Sequence, residues 1–235
     1  MRALSRDDLR AGAAAALPVM MGYVAIGIPC GVMAAEVDLS PAVAFLLSAT
    51  FYSGAGQFMM ASLALAGTPV ASMVASVALV SSRQLLYSAA LSPFVRGVPR
   101  PLATLFAATV TDESFGVNMD RFAGDGGWSV ERATVTNVAS MLAWAFANAL
   151  GALVGPVLAI PTAVMSFAMT AIFICLLAGQ RWTRVTAVVA ATAFVVVVAL
   201  KLVGAGSLSV LLGAVAGVVA GLVAGAAGRE GGGAR

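Results

Sequence analysis

Two adjacent acidic residues, Asp112 and Glu113, lie in the stretch VTDESFG, directly after the apolar run PLATLFAAT. A charge in the middle of a bilayer costs about 2.5 to 3.5 kcal/mol, so such a carboxyl group must be protonated, paired or hydrated. We therefore expect these acids to serve proton coupling or an ion pair. The alternative is that the helix ends early and water solvates both. Because neighbouring positions on a helix point about 100° apart, the two acids are expected to have different roles.

Arg83 is the only basic residue inside a long apolar segment, VASMVASVALVSSRQLLYSAAL. At helical spacing it shares a face with Ser72, Ser76 and Tyr87, and we expect this polar stripe to face the protein interior. The guanidinium group would there neutralise one of the two acids or bind a substrate carboxylate, with Tyr87 beside it. The alternative is that Arg83 extends to the membrane interface.

The stretch YSGAGQF combines small and polar residues inside another apolar segment. Glycine permits a helix to unwind, and an unwound backbone offers N–H and carbonyl groups to a zwitterionic ligand. Ser53, Gly54, Gly56 and Gln57 are therefore candidate substrate-binding residues. A tight helix crossing would explain the two glycines as well.

Two further faces are formed by small and polar residues. Asn137 and Trp144 share a helix face with Ser140 and Asn148, which either lines the substrate pathway or makes interhelical hydrogen bonds. Glycines four residues apart let helix backbones pack closely, and they occur in the first and last apolar segments: Gly27, Gly31, Gly213, Gly217, Gly221 and Gly225.

The composition indicates a membrane protein. Of 235 residues, 61% are hydrophobic and 10% are charged, whereas soluble domains average about 25% charged residues. The apolar runs are long enough to cross a bilayer as helices, and runs such as VTAVVAATAFVVVVAL are apolar on every face, unlike barrel strands. The sequence therefore predicts an all-α, polytopic helical bundle in the lipid bilayer.

Several classes of ligand are disfavoured. The chain has no His, and Cys30 and Cys175 both lie in apolar runs without the spacing of metal ligands. We therefore expect no metal and no cofactor. The 13 Lys and Arg residues are scattered along the flanks of the apolar runs, so we expect no nucleic-acid partner.

We expect about six to eight membrane segments in a single transporter domain over residues 11–228. Residues 1–10 would form a cytoplasmic N-terminal segment, and residues 229–235 a flexible, glycine-rich C-terminal tail. The apolar segments lie at 11–35, 42–66, 70–93, 102–119, 133–155, 162–179, 185–202 and 208–226.

The direction of two of these segments is open. If all eight cross, the loop containing Arg96 and Arg100 lies outside, against the preference of basic loops for the cytoplasmic side. If segments 42–66 and 102–119 are broken or re-entrant, every loop containing Arg faces inward. Broken helices are tolerated where they line a cavity, and transporters build substrate sites from them.

Five motifs resemble, in order and spacing, the AzlC family, the large subunit of branched-chain amino acid exporters. The resemblance spans about residues 18–180 and is carried by ALPVMMGYVAIGIPCGVMAAE, FYSGAGQFMMASL, SRQLLYSAAL, TVTDESFGVN and SFAMTAIFICLLAGQ. It implies export of Val, Leu and Ile, with Met as a further candidate, together with a small membrane subunit of the AzlD type. The matching motif positions are Gln57, Arg83, Tyr87, Asp112 and Glu113.

Two positions depart from the family pattern. Gln84 stands where the family commonly has His, and Ser166 where it often has Asp. These departures leave the substrate preference, and any proton role of the two positions, open.

Together, the residues and the resemblance predict a secondary transporter of the bacterial inner membrane, not an enzyme. It would export branched-chain, neutral aliphatic amino acids and be driven by protons. The alternative is a channel-like or assembly subunit without coupled transport of its own. An intramembrane enzyme with Asp112 and Glu113 as acid and base lacks a nucleophile or metal motif to support it.

Overall fold

The computed structural model describes residues 5–124, 126–158, 182–204 and 208–230, with residues 167, 171, 174 and 178 as isolated positions. Within these residues the chain is helical and contains no strand, so the predicted all-α class is confirmed. The segment expected at 162–179, with Cys175 and Ser166, lies outside the described residues. The α-helices are α1 Arg6–Glu36, α2 Pro41–Thr50, α3 Gly54–Leu65, α4 Val70–Ser81, α5 Arg83–Leu91, α6 Arg100–Ala108, α7 Asp112–Gly124, α8 Val130–Leu158, α9 Arg184–Leu202 and α10 Leu208–Glu230.

Several helices have the length and composition of membrane spans. Among the described residues, four stretches are long and apolar enough to cross a bilayer: Arg6–Glu36, Val70–Val95, Val130–Val157 and Arg184–Leu202. The prediction of a polytopic helical membrane protein is therefore confirmed. The chain forms two compact units, residues 1–172 and 173–235. The single transporter domain expected over residues 11–228 stays a prediction.

The first helix begins earlier than its apolar run. The Ser5 hydroxyl accepts from the Asp8 N–H at 3.0 Å, and the Asp8 carboxylate accepts from the Ser5 N–H at 3.2 Å. This capping box stabilises the first turn, so α1 starts at Arg6 within the expected N-terminal segment. At the other end of the chain, α10 continues to Glu230, two residues into the expected tail.

Helices α1 and α8 run parallel and in close contact. Gly12 lies against Arg132 near the start of both helices, and Gly31 lies against Asn148 much further along both. The same ends are joined by an ion pair, in which Arg132 Nε lies 2.9 Å from Asp8 Oδ1. A Cβ atom at Gly31 would overlap the backbone carbonyl of Asn148, so the two backbones approach as closely as glycine allows.

Helices α2 and α3, with the unwound residues 51–53 between them, form a first hairpin. Val37 and Val43 line the same cavity as Ala64, so α2 begins and α3 ends near the C-terminal end of α1. The next span, α4–α5, starts there and ends at Leu91, which is packed with Ala15 near the N-terminal end of α1. The first hairpin therefore enters and leaves at one end of the α1–α8 pair.

Helices α6 and α7, with residues 109–111 between them, form a second hairpin. Phe94, just before α6, stacks on Phe122 near the end of α7, with ring centroids 4.4 Å apart. Both ends of this hairpin therefore lie together, at the N-terminal ends of α1 and α8. The two hairpins therefore enter from opposite ends of the α1–α8 pair; that segments 42–66 and 102–119 are re-entrant in the membrane stays a prediction.

In the second unit, α9 and α10 form an antiparallel pair. They are joined through Gly204, whose φ of +79° lies in the left-handed region that favours glycine. Gly213 contacts Val197, whereas Gly221, two turns further along α10, contacts Val189. Gly217 contacts the same helix at Ala193 and Val189, while a Cβ atom at Gly225 would meet open space. Three of the four glycines therefore face α9.

The close contact of α1 with α8 makes the substitution Gly31→Ala destabilising. Forcing an extra methyl group into a packed interface costs about 1–3 kcal/mol, which corresponds to a fall of about 2–4 °C in melting temperature per kcal/mol for a chain of this size. The matched control is Gly22→Ala in the same helix, where a Cβ atom meets nothing within 4 Å. Equal melting temperatures of the two variants, measured by thermal unfolding in detergent, would contradict the close contact of α1 with α8 at Gly31.

Impermeant thiol labelling tests the two hairpins in a background without the native cysteines. We expect Glu36→Cys and Ala66→Cys, at the ends of the first hairpin, to be labelled from one side of the membrane. Ser92→Cys and Gly126→Cys, which flank the second hairpin, should be labelled from the other side. If the hairpins crossed the bilayer, each pair would be split between the two sides.

Candidate functional site

The backbone at the first hairpin's tip is satisfied by side chains. Gln57 Nε2 donates to the carbonyl oxygen of Phe51 at 2.6 Å, and Gln84 Nε2 donates to that of Tyr52 at 3.1 Å. The Ser53 hydroxyl accepts from the backbone N–H of Gly56 at 3.2 Å and so caps α3. Unpaired backbone groups are costly in a membrane, so these contacts make the break stable there. Gln84, the first residue after Arg83, takes part in this support.

The tip of the second hairpin is supported in the same manner. Asn137 Nδ2 of α8 donates to the carbonyl oxygen of Phe106 at 3.3 Å, at the end of α6. Asn137 Oδ1 accepts from Asn118 Nδ2 at 2.8 Å, and the Ser114 hydroxyl accepts from the Thr111 N–H at 2.9 Å. The predicted polar face of α8 thus makes interhelical hydrogen bonds at Asn137.

Tyr23 of α1 connects the two tips. Its hydroxyl donates to Glu113 Oε2 at 2.6 Å and lies 2.7 Å from Thr111 Oγ1, at the second tip. Its ring is edge-on to that of Tyr52 at the first tip, with centroids 6.1 Å apart, and to that of Trp144 at 5.4 Å. Tyr23 is 4% exposed, so one buried phenol contacts both unwound segments.

The two adjacent acids have different partners. Asp112 Oδ2 lies 2.7 Å from Arg83 Nη2, and these side chains are 27% and 32% exposed, respectively. Glu113 instead accepts from the neutral hydroxyl of Tyr23. Both acids lie in the first turn of α7, where the helix dipole favours negative charge.

The polar stripe on α4 and α5 is only partly interior. Arg83 is partly buried, and Tyr87 is stacked on Phe115 with centroids 4.7 Å apart. Ser72 is exposed, contrary to the expectation. Ser82 separates α4 from α5 but keeps a helical backbone, with φ −58° and ψ −24°, and little of the span Val70–Val95 is buried.

An apolar cavity of about 320 Å³ lies between α1, α2, α3 and α8. Its size falls at the lower end of the range of ligand sites, about 300–1,000 Å³. Gln57 is the predicted substrate-binding residue that lines it, and Ser48 and Asn148 are its other polar residues. The apolar or weakly polar lining residues are Cys30, Ala34, Val37, Leu39, Val43, Ala44, Leu47, Met60, Ala61 and Ala64.

Gln57 connects this cavity with the first tip. Its Oε1 atom accepts from Ser48 Oγ at 3.0 Å and from Trp144 Nε1 at 3.2 Å. The Trp144 ring lies on Gly54, where an added Cβ atom would stand 3.4 Å from the indole. The predicted residues Gly54, Gln57 and Trp144 are therefore in contact with one another, while Ser53 lies 3.4 Å from Ser81 across the same tip.

Tyr23 and Tyr52 are site residues that the sequence patterns did not single out. The chain has three tyrosines, Tyr23, Tyr52 and Tyr87, and all three lie around the two acids or the tips. Tyr52 Oη is buried and has no hydrogen-bond partner among the described residues. The sequence feature that could have indicated them is the occurrence of one tyrosine, with its polar hydroxyl group, in each of three apolar segments.

No group of three or more His, Cys, Asp or Glu side chains suited to a metal ion occurs in the described part of the chain. Cys30 is buried and is a free thiol at the wall of the cavity. What these residues offer a ligand is an apolar cavity beside a polar helix break, with an ion pair and a second carboxylate close by.

Residues 18–158 match the family model described as AzlC protein. The chain belongs to the AzlC family. No solved structure matches it. The match covers both hairpins and the α1–α8 pair, except for the first part of α1.

Individual relatives are similar at low identity. An uncharacterized membrane protein of Helicobacter pylori (strain ATCC 700392 / 26695) is 29% identical over 70% of this chain and 72% of its own length. The inner membrane protein YgaZ of Escherichia coli (strain K12) is 25% identical over 59% and 58%. The branched-chain amino acid transport protein AzlC of Bacillus subtilis (strain 168) is 25% identical over 72% and 65%.

Family, relatives and apolar helices together identify a multi-pass protein of the bacterial inner membrane with a role in membrane transport. Because the family is related to transport, membership in it argues against an enzymatic function of this chain. The roles of individual site residues in this AzlC-family chain remain predictions.

A double-mutant cycle tests the ion pair between Arg83 and Asp112. Arg83→Gln or Asp112→Asn alone leaves a charge without its partner. The double variant should therefore lose less stability than the sum of the losses in the two single variants. Contacting residues have interaction energies of roughly 0.5–3 kcal/mol, and we expect about 1 kcal/mol because both side chains are partly exposed.

The matched control for this cycle is Asp38→Asn. Asp38 is an exposed acid just after the C-terminal end of α1, and its substitution should change the free energy of unfolding by less than about 0.5 kcal/mol. Additive effects of the Arg83 and Asp112 changes on thermal unfolding would mean that the pair does not form in the membrane protein.

Proposed function

We propose that this AzlC-family chain is a secondary transporter that exports branched-chain, neutral aliphatic amino acids. The observation that carries the proposal is an apolar cavity of about 320 Å³ that is lined by Gln57, beside an unwound helix. Such a cavity suits a small aliphatic side chain, and the unwound helix supplies polar groups for the charged end of an amino acid. The printed name of the Bacillus subtilis relative supports the substrate class.

In this proposal the substrate's aliphatic side chain occupies the cavity, and its polar end points to the first tip. Ser53, Gly54, Gly56 and Gln57 surround that tip, where backbone and amide groups engage the zwitterion. Arg83 lies on the helix that supports the same tip, since its neighbour Gln84 donates to Tyr52. Its guanidinium group then attracts the substrate carboxylate.

Transport further requires two states with different affinities for the substrate. The α1–α8 pair is held by backbone contact and forms the fixed part, whereas the two hairpins are held at their tips by side-chain hydrogen bonds. We propose that the hairpins move against the fixed pair and alternately open the site to each side. A change in protonation of Asp112 or Glu113 would couple this movement to the proton gradient.

We propose a small AzlD-type membrane subunit as the partner. Large apolar side chains of α4 and α5 are exposed, among them Val70 at 71%, Leu85 at 73% and Leu86 at 70%. In a membrane protein such surfaces face either lipid or another helix, and a small helical subunit would meet this requirement.

Counterflow of labelled leucine and valine in proteoliposomes tests the site. Ala64→Leu adds a branched side chain at the wall of the cavity and should lower leucine counterflow by about tenfold or more, with less effect on valine. Ala66→Leu, which changes an exposed residue at the end of the same helix, should leave both unchanged. Equal effects of the two variants would remove the cavity from the proposal.

The same experiment, run with and without an AzlD-type subunit, separates the alternatives. A carrier gives saturable counterflow, which we expect to be greater with the subunit present. Flux that does not saturate would indicate a channel-like protein. No flux in either preparation would indicate an assembly subunit without transport of its own.

A further inference from the structure

We propose that Glu113, and not Asp112, is the residue that takes up and releases the coupling proton. This inference rests on the proposed function, which leaves the choice between the two acids open. It is carried by their different partners, since one acid is paired with a cation and the other is bound by a neutral hydroxyl.

Asp112 is poorly suited to lose its charge. Its carboxylate lies 2.7 Å from the Arg83 guanidinium, and arginine stays charged throughout the physiological pH range. Protonating Asp112 would therefore leave a positive charge without its nearest counter-charge at membrane depth, which is unfavourable. Asp112 thus keeps Arg83 compensated in both states.

Glu113 can change its charge without stranding a cation. When it is ionised, the Tyr23 hydroxyl donates to it at 2.6 Å and lies 2.7 Å from the Thr111 hydroxyl oxygen. When one proton binds, the Glu113 carboxyl group donates to Tyr23, and Tyr23 then donates to Thr111, whose own proton goes to Ser114 Oγ at 3.3 Å. The hydrogen bond between Glu113 and Tyr23 is kept with its direction reversed and one proton added.

Titratable groups near Glu113 come from α1, the first tip and α5. From α1 there is Tyr23, which donates to Glu113, and from the first tip Tyr52, whose ring packs edge-on against that of Tyr23. From α5 there are Arg83, which is paired with Asp112, and Tyr87 one turn further along the same helix. The only cation in this set is already paired with the other acid.

A path of contacts leads from Glu113 to the cavity. Tyr23 contacts Glu113 by its hydroxyl and Trp144 by its ring, at 5.4 Å between centroids. The indole N–H of Trp144 then donates to Oε1 of Gln57, a residue that lines the cavity. Reversal of the hydrogen bonds at Tyr23 therefore acts on a residue that touches the proposed substrate position.

Two transport assays on the same proteoliposomes test this assignment. Counterflow without a gradient measures substrate exchange, and accumulation driven by a pH gradient measures coupling. We expect Glu113→Gln to keep at least about half of the counterflow and to lose gradient-driven accumulation. Asp112→Asn should reduce both activities by the same factor, and Glu36→Gln, at an exposed acid at the other end of α1, should change neither.

The outcomes separate failure of the inference from failure of the proposed function. Absence of leucine counterflow in the unmodified protein would overturn the proposed function itself. Counterflow together with gradient-driven accumulation in Glu113→Gln would overturn only the assignment of Glu113. Selective loss of accumulation in Asp112→Asn would assign the proton to Asp112 instead.

A second measurement does not require that Glu113→Gln folds. Tyr23→Phe removes the hydroxyl group that contacts the Glu113 carboxyl group, so the carboxyl C=O band of Glu113 should change its position when this hydrogen bond is lost. Infrared difference spectroscopy of the carboxyl C=O band during a pH titration measures this directly. A titrating carboxyl band that is unchanged in Tyr23→Phe would refute the assignment.

Discussion

The close parallel contact of α1 with α8 is the constraint on which the rest of residues 5–158 depends. Gly31 and Gly151 bring the two backbones together, because a side chain at either position would overlap a carbonyl group of the other helix. In this register Tyr23 of α1 and Trp144 of α8 lie side by side in the middle of the pair. Both hairpins end against these two rings, so the helix contact sets the level at which the tips meet.

Breaking two helices inside a membrane protein creates backbone groups that water cannot satisfy. The chain meets this requirement with amides, since Gln57, Gln84 and Asn137 each donate to a carbonyl oxygen at a break. Gln57 also lines the cavity, so one side chain both supports the first tip and borders the proposed substrate position. A ligand that competes for its hydrogen bonds would act on the hairpin at the same time.

Two carboxyl groups in neighbouring positions thus have separate functions. Neighbouring positions on a helix point in different directions, so Asp112 contacts α5 and Glu113 contacts α1. The ion pair with Arg83 holds α5 against α7 by charge, whereas the hydrogen bond to Tyr23 holds α7 against α1 without a cation. Protonation of Glu113 leaves no cation without its partner, whereas protonation of Asp112 would leave Arg83 unpaired. The neutral partner of Glu113 is therefore what allows this acid to bind a proton.

The sequence by itself determined the membrane class, the all-α fold, the two irregular segments and the glycine faces, because these follow from composition and from spacing within one segment. It also identified the acids and Arg83, since charges are rare in apolar runs. Only the tertiary structure decided that Asp112 pairs with Arg83, that Tyr23 bridges to Glu113 across 90 positions of the chain, and that Gln57 lines the cavity. Such contacts join residues from separate helices, and they are fixed by the register of α1 against α8, which no local pattern encodes.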